Sequence, residues 1–297
     1  MKDLEDKVAF ITGGASGIGL GAAKALTAQG ARLILADIEG AKVEAAAAEL
    51  RAAGADAIGL QLNVAEEAEW ARAAEVAAGF GEVRLLFSNA GVGGGSGKFE
   101  AYDPDVWRWT YAVNAHAHLY ACRTFLGAMK QAGEPAHLAL TSSLVAIVPP
   151  PISVAYISSK FATLGIAMAL RNELADTNVG ISVLCPGMAA TNIVATTQKL
   201  RPGSAEQGAA AQTAQNMGAV LAAGMSPDRI GERVVRAIQA DEFYIFTHPE
   251  WRGMAEDSFA EMLAAFSESA DPSYGGDDIA SLVAANGARR MNVALKA

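Results

Sequence analysis

Lys7-Val8-Ala9-Phe10-Ile11-Thr12-Gly13-Gly14-Ala15-Ser16-Gly17-Ile18-Gly19 decides the fold of this chain. After its first residue the segment to Ile11 is an unbroken apolar run, the pattern of a parallel strand covered on both faces. A helical pattern rich in small residues then runs to about Gln29. Between strand and helix lies a glycine turn. Glycines allow the tight turn and a close approach of backbone to a ligand, while the first N–H groups of the helix and its dipole attract a pyrophosphate. The spacing here, G-x-x-x-G-x-G, differs from the usual G-x-G-x-x-G dinucleotide fingerprint. A plain turn is the alternative, and the grouping of three glycines at a strand-to-helix junction weighs against it. Gly13, Ser16, Gly17, Ile18 and Gly19 are therefore candidate cofactor contacts.

Outward from this unit, Arg32-Leu33-Ile34-Leu35-Ala36-Asp37 is a second apolar strand, and it ends in a carboxylate. A carboxylate about twenty residues beyond the glycine turn can accept hydrogen bonds from both hydroxyls of an adenosine ribose. A 2'-phosphate would instead meet like charge, at a cost of roughly 4 kcal/mol per charge pair at close range and an effective dielectric of about 20. Ser16 offers no cation, and neither does the Ile38-Glu39 pair after Asp37. Asp37 and Ile38 are thus assigned to the adenosine end, and NAD is expected in preference to NADP. Further strands are expected at Ala57 to Leu62, Arg84 to Ser88, Leu138 to Thr141, Gly180 to Cys185 and Phe243 to Phe246, separated by helical patterns. The alternation predicts an α/β fold, a doubly wound parallel sheet of about seven strands with helices on both faces.

A second constellation carries chemistry. Tyr156 and Lys160 stand one turn apart on a helix expected over residues 153–176, with Ser143 upstream at the end of the strand Leu138 to Thr141. A free phenol titrates near pH 10, so proton exchange at neutral pH requires roughly 4 kcal/mol of extra stabilisation of its anion. An ammonium at about 4 Å and an effective dielectric of about 20 supplies roughly that amount. A phenol, a tuning cation and a hydroxyl partner together suit alcohol or ketone redox chemistry.

With the glycine turn, Asp37 and Tyr156 to Lys160 in register, the chain resembles the short-chain dehydrogenase/reductase family over roughly residues 5–247. Asn63-Val64, Asn89-Ala90-Gly91, Asn114, Ser142-Ser143 and Pro186-Gly187-Met188-Ala189-Ala190-Thr191 match in order and spacing. The resemblance implies a Rossmann-type catalytic domain over 1–247, with a substrate lid at about 188–225 and a helical extension of the same domain at 248–297. It implies catalysis by Asn114, Ser143, Tyr156 and Lys160. Asn63 would bond the adenine amino group, although the family more often has Asp there. Asn89, Ala90 and Gly91 would admit the cofactor, and Asn114 would hold a water linking Lys160 to solvent. Lys160 would also grip the nicotinamide ribose, and Thr191 the carboxamide, beside Pro186, Gly187 and backbone groups of Ala189. Ser143, Val145, Pro150, Tyr156 and Met188 would meet a substrate. Helices over 104–130 and 153–176 would pair copies of the chain into a dimer or tetramer. Phe243 to Arg252 looks like the corresponding stretch of bacterial relatives that oxidise bulky hydrophobic secondary alcohols, including benzylic alcohols of lignin-derived aryl ethers.

Composition fits an enzyme of this class. The 297 residues are 52% hydrophobic, with net charge -9, which argues against a nucleic-acid partner. The charged amino terminus and the short apolar run after it predict no signal peptide and no membrane span, hence a cytoplasmic protein. Cys122 and Cys185 are expected as reduced, buried thiols, and the histidines at 116, 118, 137 and 248 show no metal-ligand grouping. Gly91 to Gly97 is either a loop that admits a bulky substrate or a loose connection. A helix is expected from Trp251 to Phe266, with a last short helix beyond Gly276. The leading expectation is an NAD-dependent secondary-alcohol dehydrogenase or ketone reductase. A 3-oxoacyl-thioester reductase, a nucleotide-sugar epimerase and a non-catalytic NAD-responsive binding protein are the rivals.

Overall fold

The computed structural model describes residues 1–268 apart from Ser96, Ile152, Ser204, Ala205 and Gln207, and beyond them only Ser273, Gly276 to Asp278 and Ser281. The expected last short helix therefore falls mainly outside the described residues. Seven strands form one parallel sheet: β1 (Val8–Thr12), β2 (Arg32–Asp37), β3 (Ala57–Gln61), β4 (Val83–Ser88), β5 (Ala136–Thr141), β6 (Val179–Cys185) and β7 (Tyr244–Phe246). Their spatial order is β3-β2-β1-β4-β5-β6-β7. The order reverses between β1 and β4. In open sheets of this kind the crevice beyond the strand ends at that point is the ligand site.

Side chains alternate across the sheet and build two cores. On one face Phe10, Ile34, Leu86, Leu138 and Val183 pack with Trp70 and Phe125 from α3 (Glu69–Phe80) and α5 (Ala117–Gln131). The rings of Phe10 and Phe125 lie 4.7 Å apart. On the other face Ile11, Leu35, Phe87 and Leu184 meet α1 (Gly17–Thr27), α2 (Gly40–Ala52) and α9 (Pro227–Ala240). α1 and α9 touch backbone to backbone: a Cβ on Gly21 would stand 2.2 Å from Pro227 O.

The helix expected over 104–130 is interrupted. α4 (Pro104–Tyr111) passes through a π-helical turn, Ala112–His116, before α5 begins. Such turns insert a residue into the helical repeat and re-aim the side chains around it. Here the turn contains Asn114, whose partners lie on other elements. α6 (Val154–Glu173) carries Tyr156 and Lys160 as expected. The 188–225 segment holds α7 (Ile193–Leu200) and α8 (Gly208–Ala222), and α10 (Arg252–Glu268) follows β7. Among the described residues no helix is long and apolar enough to cross a membrane, and no group of three His, Cys, Asp or Glu is placed to hold a metal ion.

Candidate active site

A cavity of about 960 Å³ runs along the C-terminal ends of the strands, from Asp37 and Ile38 at one end to Ser143, Tyr156 and Lys160 at the other. Gly13, Ser16, Gly17, Ile18, Asn63, Val64, Asn89, Ala90, Gly91, Val145, Pro150, Pro186, Gly187, Met188, Ala189 and Thr191 line it as well. Of the residues singled out in the sequence, Gly19 and Asn114 stand behind its wall. A Cβ on Gly19 would lie 2.2 Å from Gly13 O, so the turn closes only without a side chain there. Gly13 and Gly17 hold left-handed backbone, with φ of 65° and 53°.

Backbone donors fix the Asp37 end. Asp37 Oδ2 accepts from Ala15 N–H at 3.2 Å and Oδ1 from Glu39 N–H at 3.1 Å. Each carboxylate oxygen retains a lone pair for a ribose hydroxyl. Asn63 Oδ1 accepts from Ala65 N–H at 3.2 Å, which orients its amide at the mouth of β3. In the middle, Thr12 Oγ1 accepts from Asn89 and Ala90 N–H at 2.8 and 3.0 Å, and Thr141 Oγ1 donates to Asn89 Oδ1 at 3.1 Å. These bonds pull the ends of β1, β4 and β5 together under the cavity floor. Glycine turn, paired strand ends and a carboxylate beyond them fit a dinucleotide.

Asn114 is fully buried, and every polar group it carries is engaged. Its Oδ1 accepts from Val92 N–H at 2.8 Å, its Nδ2 donates to Val92 O and Ser159 Oγ at 2.9 and 3.0 Å, and its carbonyl accepts from Thr163 Oγ1 at 2.8 Å. From the π turn this one side chain reaches both the loop after β4 and helix α6. Ser143 Oγ accepts from Val145 N–H at 3.3 Å and makes a long contact, 3.5 Å, to Pro186 O. Ser142 faces the other way and donates to Lys160 O at 2.7 Å, as strand alternation predicts.

Lys160 is anchored on the backbone of β5. Its Nζ donates to Thr141 O at 2.9 Å and lies 5.8 Å from the centroid of the Tyr156 ring. Burial pushes the ammonium down to about 8, with Cys185 opposing the shift. Burial raises the Tyr156 phenol above its ordinary value, and its hydrogen bond with Ser143 acts the other way. The hydrogen bond to Thr141 O anchors the ammonium over the face of the Tyr156 ring. Its proton is shared with a backbone carbonyl, and the phenol leans on Ser143. Tyr156 is only half-buried by surface exposure, so the burial effect acts on a hydroxyl that still opens on the cavity.

Trp109, Ile193 and Thr197, which no local pattern singled out, also line the cavity, together with Trp251 and with Met217 and Leu221 of α8. The glycine loop after β4 is tied down: Gly93 N–H donates to Thr197 Oγ1 at 2.6 Å, and Tyr102 Oη bonds Gly94 O. Such contacts join segments remote in sequence, and no local pattern announces them. Cys122 and Cys185 are buried free thiols, both pushed up to about 12 by burial.

A family model described as short chain dehydrogenase matches residues 7–201. A C alpha-dehydrogenase of Sphingobium sp. is 32% identical over 267 residues, covering 89% of this chain and 87% of that protein. A 1-deoxy-11-beta-hydroxypentalenate dehydrogenase of Streptomyces exfoliatus is 33% identical over 261 residues, covering 87% and 89%. Among solved structures, a short chain dehydrogenase/reductase from Burkholderia phymatum in complex with NAD superposes with a TM-score of 0.85 at 29% identity, covering 93% of this chain and all of that one.

Proposed function

Because the chain belongs to the short-chain dehydrogenase/reductase family, we propose that it interconverts a bulky, hydrophobic secondary alcohol and its ketone with NAD as cofactor. One observation carries the reading: a single cavity places Asp37 at one end and Ser143, Tyr156 and Lys160 at the other. Bound NAD supplies a hydride acceptor and, in its oxidised form, a positive charge. Tyr156 Oη exchanges the proton with the substrate oxygen, and Ser143 Oγ holds that oxygen. Proton exchange of this kind is worth about 10² to 10⁴ in rate. Lys160 delivers charge to the nicotinamide-ribose side from its anchor on Thr141 O, and Asn114 keeps the Val92 backbone and α6 in place around it.

Support for the substrate class comes from the walls. Trp109, Val145, Pro150, Met188, Met217 and Trp251 add apolar wall to the cavity that Tyr156 lines. Two of the relatives carry names of dehydrogenases, one of them acting on a hydroxy compound. The segment 188–225 acts as a lid that excludes water when substrate binds. Copies of the chain pair through α5 and α6, where Leu119, Phe161 and Met168 are exposed apolar residues.

The test is a spectrophotometric screen of aliphatic, benzylic and steroidal secondary alcohols with NAD and NADP in parallel, and a 3-oxoacyl thioester with NADPH as counter-substrate. Turnover of a bulky alcohol with NAD and far poorer turnover with NADP is the expected result. Equal efficiency with the two cofactors refutes the role of Asp37, and preferential reduction of the thioester refutes the substrate class.

A further inference from the structure

His248 follows β7, outside the residues matched by the family model. It is buried, and its two ring nitrogens hold two consecutive residues of the loop after β6. Nδ1 accepts from Gly187 N–H at 3.1 Å, and Nε2 donates to Met188 O at 3.0 Å. A backbone N–H can only donate and a carbonyl can only accept, so the loop itself fixes the tautomer with the proton on Nε2. Thr247 Oγ1 lies 2.7 Å from Nδ1 and braces the ring. The imidazole stacks so closely on the loop that a Cβ on Gly187 would stand 2.7 Å from His248 Cγ.

The loop that His248 grips touches both Ser143 and the return of the 188–225 segment. Pro186 O accepts from Leu144 N–H at 3.0 Å and contacts Ser143 Oγ, so its position sets the hydroxyl beside Tyr156. Met188 O also accepts from Met225 N–H at 2.8 Å, and Ala190 N–H donates to Met225 O at 2.9 Å, which anchors the return of the lid segment. His248 O accepts from Trp251 N–H at 3.2 Å and so places an indole in the cavity wall.

We propose that His248 is a positioning residue for the dehydrogenase reaction, holding Gly187 and Met188 through both ring nitrogens so that Ser143 and the returning lid keep their geometry. The inference rests on the activity proposed above. It gives a role to a residue that follows β7, beyond the residues 7–201 matched by the family model. Misplacement of a reacting group by about 1 Å, caused by a change remote from it, lowers rates by about 100-fold.

The experiment compares His248→Phe, which keeps ring volume under Gly187 but removes both hydrogen bonds, with His248→Asn, which restores an acceptor for Gly187 N–H. Three quantities are read: kcat with the best alcohol of the screen, the Kd of NADH by fluorescence, and amide exchange at Gly187 and Met188 relative to α1. For His248→Phe we expect kcat to fall about 10- to 100-fold with Kd for NADH changed less than about threefold, since the Asp37 end is untouched. Exchange at Gly187 and Met188 should rise about tenfold or more while α1 stays protected, and His248→Asn should recover most of kcat and of the protection. Unchanged kcat in His248→Phe overturns the inference, as does a loss accompanied by faster exchange throughout α1 with no recovery in His248→Asn. A wild-type protein that oxidises no secondary alcohol overturns the activity reading instead, and the exchange contrast at Gly187 and Met188 then decides the structural role of His248 by itself.

Discussion

At the Asp37 end of the cavity most of the wall comes from one stretch, residues 13–38, whereas at the Tyr156 end it is assembled from residues near 93, 109, 143, 156, 188, 217 and 251. The first end is set by backbone: a glycine turn with no room for a Cβ and a carboxylate fixed by two N–H groups. The second is set by side chains that reach between distant elements, such as Asn114 to Val92 and Thr197 to Gly93. A site of the first kind tolerates little variation and suits an unchanging ligand. One of the second kind changes its walls without disturbing the sheet, which suits a substrate that differs among relatives.

Substitutions at the two ends should separate accordingly. Tyr156→Phe should cut kcat by about 10² to 10⁴ while NADH fluorescence titration still reports binding, and near-wild-type turnover would refute the proton-transfer role. Acid should instead strain the core beneath both ends. His118 and His137 lie fully buried, and burial holds both down at about 3 against an ordinary 6.5. The unfolded chain therefore binds their protons first, so the stability they protect is complete above about pH 6.5 and drains away as pH falls toward 3. At pH 5 the loss is about 2 kcal/mol for each ring. A melting temperature unchanged between pH 7 and 4.5 would contradict this.

Gly19→Ala should strike the backbone-built end, because its new Cβ meets Gly13 O at 2.2 Å. The NADH Kd should rise by about 100-fold, the effect of losing roughly 3 kcal/mol of binding, and a calorimetric titration matching wild type would show that the turn is not used. Asp37→Ser should shift the ratio of NAD to NADP efficiency by roughly 10- to 100-fold, the worth of a charge-assisted hydrogen bond plus relief of repulsion. Parallel kinetics with both cofactors check it. The smallest effect is expected for Trp251→Ala, about a fivefold rise in KM for a bulky alcohol from lost apolar contact, with little change for a small one. Equal effects on the two alcohols would remove Trp251 from the substrate wall.

How far the chain could be read in advance follows the same division. β2 begins and ends at the residues expected, and β1 and α6 lie within a few residues of their expected bounds, because apolar runs and helical periodicity are local signals. The π turn at Ala112–His116 was hidden, since the sequence there is an uninterrupted helical pattern and the partners of Asn114, Val92 and Ser159, lie on other elements. Lys160 lies on α6 with its ammonium over the Tyr156 ring, as the one-turn spacing predicts, but its anchor on Thr141 O, a carbonyl of β5, was not legible from spacing. His248 was visible only as a histidine with no metal partner. Its contacts with Gly187 and Met188 span the distance between β6 and the segment after β7, which no spacing rule covers.

The order of strands and helices, the glycine turn, the acidic end of β2 and the tyrosine and lysine one turn apart were all written in the amino-acid sequence, because each depends on neighbours within a few residues. Packing alone decided which carbonyl anchors Lys160, which aromatic residues wall the cavity and which histidine braces the loop beside Ser143. Those outcomes depend on which buried carbonyls and N–H groups are left to be satisfied once the sheet has formed, and that is known only when distant segments meet.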